Sequence, residues 1–218
     1  MFDDKPYEFG VLGAIKGMLT LYDKQTNSRW SQLFGRAIEG PMEGHQLERL
    51  PSTMTTWEQW RQLHPQTTVY VKPKAYYRRF ATDHFEYIAQ AASGPVQVDD
   101  LVLGLEGHAQ ARAYLLRRLA QQRLVQDTFE DAPILVYLSA DLSTVRVFNR
   151  EVEGQTLQFA LTEDENLRDQ ETSSLWHPVT GESIQGPHKG KKLTGLIARY
   201  AVWFAWHSYR PDTHIHGE

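Results

Sequence analysis

The chain has 218 residues, long enough for a sizeable core, and its 41% hydrophobic and 23% charged residues fit a globular protein rather than a disordered or fibrous one. Its net charge of −4 is spread along the sequence, so no basic stripe argues for nucleic acid and no acidic block for a solvating tail. Cysteine is absent, which excludes disulfides, thiolate metal sites and cysteine nucleophiles.

The opening Met1-Phe-Asp-Asp-Lys-Pro6 is acidic and has no apolar h-region. No apolar run approaches the roughly eighteen residues that span a bilayer. The sequence as it stands therefore reads as soluble and cytoplasmic, with the cell envelope or periplasm left open for a longer parent protein.

Residues 8–22 alternate loosely, with Phe9, Val11, Met18, Leu19 and Leu21 around Gly10, Gly13 and Gly17, which predicts a strand, a turn and a strand. Residues 23–28 are polar and turn-like, and Trp30 begins the next extended piece. Gly40-Pro-Met-Glu-Gly44 predicts a tight turn between short strands, since Pro presets φ and Gly reaches conformations closed to other residues. The period then changes. Thr55-Thr-Trp-Glu58 matches a capping box, Trp57, Trp60 and Leu63 or His64 share one helical face, and Pro65 ends the helix. Residues 67–71 are β-branched and aromatic, which predicts a closing strand. Residues 73–98 read as a connector carrying one helix, capped at Thr82, with Phe85, Ile88, Ala89 and Ala92 inward and Ser93-Gly-Pro95 ending it.

Residues 101–105 predict a strand and Glu106-Gly107 a turn. Residues 109–124 have a helical composition, yet a single helix would set Arg112 and Arg123 on the face of Leu115 and Leu119. A hairpin strand to about Leu115, then a short helix, removes that conflict. Residues 134–139, 144–152 and 156–161 read as three consecutive antiparallel strands, with turns at Ala140-Asp-Leu-Ser143 and Glu153-Gly-Gln155.

One stretch occurs twice. Residues 23–69 and 169–215 align without a gap at an offset of 146. Asp23, Thr26, Ser28, Trp30, Gly35, Ile38, Gly40, Pro41, Gly44, Leu47, Leu50, Trp57, Trp60, Pro65 and Thr67 all recur. Most are turn formers or large apolar anchors, the residue classes that fix a backbone. The predicted fold class is α+β: mostly antiparallel β-sheet units, internally duplicated, with one short Trp-bearing helix per repeat packed on its sheet. The units are 1–72, a first and incomplete repeat, and 99–218, a second and nearly complete one, joined by the connector 73–98.

Several words of the sequence carry a resemblance: Leu21-Tyr-Asp-Lys-Gln-Thr-Asn-Ser-Arg-Trp-Ser-Gln32, Gly35-Arg-Ala-Ile-Glu-Gly-Pro-Met-Glu-Gly44 and Leu50-Pro-Ser-Thr-Met-Thr-Thr-Trp-Glu-Gln-Trp60. Ala111-Arg-Ala-Tyr114, Val145-Arg-Val-Phe-Asn-Arg150, Trp203-Phe-Ala-Trp206 and Pro211-Asp-Thr213 continue it. Together they resemble the bacterial family called domain of unknown function 3179, over most of the chain and least across 73–98. The resemblance implies no established activity. It implies that the Tyr-Asp-x-x-Thr-x-Ser-x-Trp word follows a half-domain with a hairpin, an Asn-Asp-Thr-like word and a paired-cysteine motif. The second copy has such an upstream half, with Gln126-Asp-Thr128 near the expected word and Tyr137-Leu-Ser-Ala-Asp-Leu-Ser143 where cysteines would stand. The first copy begins in the middle of the pattern, at Tyr7-Glu-Phe-Gly10. Such a sheet would present unpaired edges, to be covered by a missing upstream half of its own domain or by another chain, including a twin in a homo-oligomer.

Candidate chemistry is sparse. His214 and His216 would face one side of a strand and could share a transition metal with His207 or His177, against the plainer reading of a polar chain end. Asp23 with Thr26 and Ser28, repeated as Asp169, Thr172 and Ser174, could look like a nucleophile and carboxylate set, and Asp23, Ser28, Trp30, Gln32, Asp169 and Trp176 are the candidate binding residues. Asp, Thr and Ser also cap turns through their own backbone, and recurrence in both copies favours that role. The Trp57/Trp60 and Trp203/Trp206 pairs could line a sugar pocket, although their i,i+3 spacing suits core packing. Arg112, Arg117, Arg118 and Arg123 could bind phosphate or form a solvated face. No phosphate loop occurs, since Gly190-Lys-Lys192 lacks its spacing. Two functions follow: a non-catalytic binding or scaffold module with no cofactor, or a metal-binding or enzymatic protein whose active half lies upstream. Neither involves nucleic acid or a membrane span in this chain.

Overall fold

A computed structural model of the chain describes residues 6–15, 17–50, 52–71 and 96–218. The opening alternation forms β1 (Phe9–Ile15) and β2 (Met18–Asp23), paired antiparallel with a bulge between Val11 and Gly13. β3 (Arg29–Ser31) and β4 (Arg36–Glu39) complete a four-stranded sheet in sequence order.

α1 (Trp57–Leu63) follows, with its start one residue later than the capping-box reading. Thr56, not Thr55, is the cap, accepting from the Gln59 backbone at 3.2 Å. Thr55 is engaged elsewhere, its hydroxyl 2.9 Å from Thr144 Oγ1. α1 buries none of its residues, and Trp57 is 45% exposed, so the expected apolar face does not pack on a sheet. The closing strand expected at 67–71 does not form, and Val69, Tyr70 and Val71 are exposed. Propensity supplied extended chain there, but a strand needs a neighbour to bond to. The connector helix, with Thr82, Phe85, Ile88, Ala89 and Ala92, lies outside the described residues.

The second half begins with β5 (Leu101–Glu106) and β6 (Ala111–Leu115), an antiparallel hairpin, followed by α2 (Leu116–Gln122). The strand-then-helix resolution of 109–124 thus matches. β7 (Leu124–Phe129) and β8 (Ala132–Leu138) form a second hairpin, turned at Glu130 and Asp131, both with positive φ. β9 (Val145–Asn149) pairs with β8, and β10 (Glu151–Val152) with β11 (Gln155–Thr156) makes a separate short ribbon. The two longer strands expected over 144–152 and 156–161 are therefore each broken. Arg150 interrupts the first by donating its backbone N–H to Pro133, and buried Leu157 interrupts the second as the chain crosses to another sheet.

That other sheet is β12 (Phe159–Leu161), β13 (Leu167–Asp169), β14 (Leu175–Trp176) and β15 (Ser183–Gln185), again in sequence order. β16 (Thr194–Gly195) returns to β9, giving a sheet ordered β16-β9-β8-β7. β17 (Arg199–Val202) pairs with β5, α3 (Trp203–His207) follows, and β18 (Thr213–Ile215) runs parallel to β6. The protein is thus α+β, mostly antiparallel sheet with few helices.

Period-two alternation sets the layers. Ile134, Val136 and Leu138 of β8 face Leu103, Leu105 and Tyr114 of the β5–β6 sheet, whereas Leu135 and Tyr137 face Leu157, Leu167 and Trp176. β8 is buried on both faces, which explains its unbroken apolar run, and each such side chain contributes about 1.5–3 kcal/mol. The outer face of the β5–β6 sheet carries Val102, Ala111, Ala113 and Leu115, covered by α3 and by Met18 and Phe34 of the first sheet.

One contact there is tight enough to be diagnostic. A Cβ at Gly104 would stand 2.3 Å from Cζ3 of Trp206, a fully buried ring. Gly104→Val is expected to lower stability by about 1–3 kcal/mol, or more if α3 is expelled, as measured by urea unfolding.

Candidate functional site

The candidate binding residues of the repeated stretch fold into two equivalent buried turns. Asp23 Oδ2 accepts the Trp30 indole N–H at 2.8 Å, and Oδ1 accepts the Thr26 backbone at 2.5 Å. Asp169 holds Trp176 at 2.8 Å and Thr172 at 2.6 Å in the same way. Ser28 Oγ then accepts the Met42 backbone at 3.0 Å, as Ser174 Oγ accepts that of His188 at 3.1 Å. Gly40 and Gly186, both at positive φ, let their backbones close on Ser28 and Ser174. Both carboxylates are fully buried. Burial pushes them up, but the indole and threonine donors outweigh it and hold both below the usual carboxylate range. Their acceptor positions are filled by their own turns. Gln32 lies apart, exposed, its backbone bonded to Leu19.

The histidines disperse. His214 is exposed on β18, and His207 lies against Trp203 with ring centroids 4.8 Å apart. His177 Nδ1 accepts the Val179 and Thr180 backbones, closing a local turn. His216 turns inward to Asp127, Nδ1 to Oδ2 at 3.1 Å. Among the described residues no group of three or more His, Asp or Glu is placed to hold a metal ion.

Asp127, in the Gln-Asp-Thr word on β7, gathers a polar cluster that sequence reading did not assemble. Arg112 Nη1 and Tyr114 Oη each approach its Oδ2 at 2.7 Å. Burial opposes the charge, but the Tyr114 and Arg112 bonds hold the carboxyl down at about 2. The same cluster, led by burial, pushes the Tyr114 phenol up. The other arginines flagged by the sequence are also paired: Arg117 with Asp100, Arg118 with Glu218 and Arg123 with Glu165. No phosphate seat remains among them.

The surplus of positive charge lies elsewhere. Glu106, at the end of β5, has a side chain 3% exposed and four guanidinium groups around it. Arg36 on β4 reaches Oε1 at 3.4 Å and Arg210, after α3, at 3.1 Å. Arg49 reaches Oε2 at 3.1 Å, and Arg199 of β17 places Nη1 3.0 Å from the same oxygen. Arg199 is nearly buried, its Nε donates to Leu33 O at 2.8 Å, and its Nη2 has no hydrogen-bond partner among the described residues. Burial pushes the Arg199 guanidinium down; Glu106 resists that fall and Arg49 and Arg36 add to it. Asp212 offsets one more charge through a bidentate pair with Arg210.

Against the four guanidinium groups stand Glu106 and Asp212, with Glu130 nearby, and two of the arginines that share Glu106 are partly exposed. Arg36 and Arg49, whose side chains are 47% and 33% exposed, line a cleft of about 690 Å³. Its other walls are Glu106 itself, the 107–108 turn, Phe129 and Ala132 of the β7–β8 hairpin, and Leu196 and Ile197. Glu130 also borders it, but its carboxylate accepts the Ala109 N–H at 2.8 Å and lies over Gly107. The cluster draws on residues from 36 to 210, and no local spacing in the sequence marks it.

Glu106→Gln is expected to lower stability by about 3–5 kcal/mol in urea unfolding, because it strips the only central anion from a crowded set of guanidinium groups. Asp127 is depressed, so its stabilisation is complete above the unfolded carboxyl pKa near 3.9 and is lost as pH falls toward 2. The stability gap between the native chain and Asp127→Asn should be about 2 kcal/mol or more at pH 6 and shrink steadily below pH 4.

A family profile described as "Protein of unknown function (DUF3179)" matches residues 1–213. No curated protein and no solved structure matches the chain.

Proposed function

We propose that this chain, which belongs to the DUF3179 family of proteins of unknown function, acts as a non-catalytic binding module whose ligand is a small anion bearing carboxylate or phosphate groups. The observation that carries this reading is a cleft of about 690 Å³, a volume suited to a small molecule, on whose wall Arg36 and Arg49 stand partly exposed while sharing the one Glu106 carboxylate with Arg199 and Arg210. Guanidinium forks match the oxygens of both anion classes, and the apolar walls at Phe129, Leu196 and Ile197 would take up a carbon skeleton. The reading needs no cofactor. No helix among the described residues is long and apolar enough to cross a membrane.

The recurrent residues support a structural use rather than a catalytic one. Asp23 and Asp169, with their Thr, Ser and Trp partners, make the same bonds at an offset of 146 and leave no reactive group exposed. We read the chain as two related units, 1–72 and 99–218, with the cleft where the first meets the sheets of the second.

Calorimetric titration of the full chain with inorganic phosphate and with citrate tests the proposal. Binding should weaken with added salt, and Arg36→Gln with Arg49→Gln should weaken it at least tenfold. Both arginines are partly solvent-exposed, so the double variant should stay folded. Absence of binding by either anion, or equal binding by the variant, would overturn the reading.

A further inference from the structure

α1 and α3 begin at residues 146 apart, Trp57 and Trp203, but among the described residues only α3 carries buried side chains. In α3, Trp203, Ala205 and Trp206 are buried, and Trp206 rests on Gly104 of β5. Its indole N–H donates to Thr213 Oγ1 at 2.8 Å, and Thr213 starts β18, which lies parallel to β6 with Thr213 opposite Ala111 and Ile215 opposite Ala113. The β5–β6 hairpin is thus what this helix and strand are fitted to.

α1 repeats the arrangement up to the point of contact. The Trp60 indole N–H donates to Thr67 Oγ1 at 3.0 Å, and the chain continues as Thr67-Thr-Val-Tyr-Val71. Among the described residues that run pairs with no strand, and Val69, Tyr70 and Val71 are 62%, 79% and 75% exposed. It contains no charge, proline or glycine of the kind that blunts a free edge. The opposite side of α1 is fixed, by Thr55 and Gln59 against Thr144 and by a bridge from Met54 to Val145. The open face is therefore held in place, ready for a partner.

We propose that the α1 face and residues 67–71 dock a β-hairpin of a partner chain, built like β5–β6. The hairpin would carry a glycine beneath Trp60 and a second strand of small residues running parallel to residues 67–69. The occupant is not this chain's own β5–β6 hairpin, nor that of a second copy, because α3 and β18 already cover it. The mode is strand addition, in which backbone bonds give affinity and the glycine notch gives selectivity. This proposal is independent of the anion cleft.

The test uses the full chain, ¹⁵N-labelled, with a synthetic peptide of residues 96–116 as probe. In a second format the same segment is fused ahead of Met1 by a flexible linker, which raises its effective concentration to the millimolar range. Amide exchange at residues 67–71 should slow at least tenfold and the Trp60 indole resonance should move. The Gly104→Val version of the added segment should lose both effects, as should Val69→Pro in the receiving chain. No protection in either format overturns the proposal, as does equal protection by the Gly104→Val segment. Protection already present in the chain alone also overturns it: if it rises with protein concentration the occupant is a second copy, and if it does not the chain covers itself.

Discussion

Glu106 is the point on which the two halves of the molecule converge. Arg36 and Arg49 come to it from the first sheet and its following loop, Arg199 and Arg210 from the second half, and the carboxylate is almost wholly buried among them. A buried anion with four cations is electrostatically lopsided. One arginine would neutralise it; four leave positive charge that Asp212, water or an anion must satisfy. The apolar contact beside it shares the load. Phe34 packs on Trp206 and Tyr209 at 5.5 and 5.4 Å, with the Arg199 guanidinium over its ring at 4.9 Å. The same junction that joins the halves also creates the cleft.

The Asp–Trp clasps work at a smaller scale. Each gathers a buried carboxylate, an indole and a left-handed residue, Asn27 or Ser173, into a turn that needs no help from the rest of the fold. Because its partners lie within seven residues of the aspartate, the clasp is local, and local constraints are what a sequence displays most openly. This is why the two turns were legible from residue types and spacing. The same locality accounts for its chemistry: a fully buried carboxylate bonded by its own turn is not presented to a ligand.

Other elements depended on neighbours far along the chain. The change from strand to helix near Leu115 was legible, because arginine positions contradicted a continuous helix. The failure of residues 67–71 to form a strand was not, since their β-branched and aromatic composition favours a strand more than that of β18 does, and the difference is the presence of β6 beside β18. The histidine pair at 214 and 216 illustrates the same limit. Strand periodicity put both on one face, but His216 lies beyond the end of β18 and is drawn to Asp127, 89 residues away in sequence. The cluster of Asp127 with Arg112, Tyr114 and His216 is likewise invisible to spacing.

By itself the sequence determined the α+β class, most strand positions, the turn chemistry and the family. Each of these rests on alternation, on φ-restricting residues, or on short-range hydrogen bonds that a run of ten residues already contains. The tertiary structure alone decided which carboxylate each arginine meets. Arg112, Arg117, Arg118 and Arg123 stand close together in sequence yet each meets a carboxylate. Arg36, Arg49, Arg199 and Arg210 are scattered yet meet at one. Charge balance at a point in space is set by packing between layers, and no one-dimensional pattern encodes it.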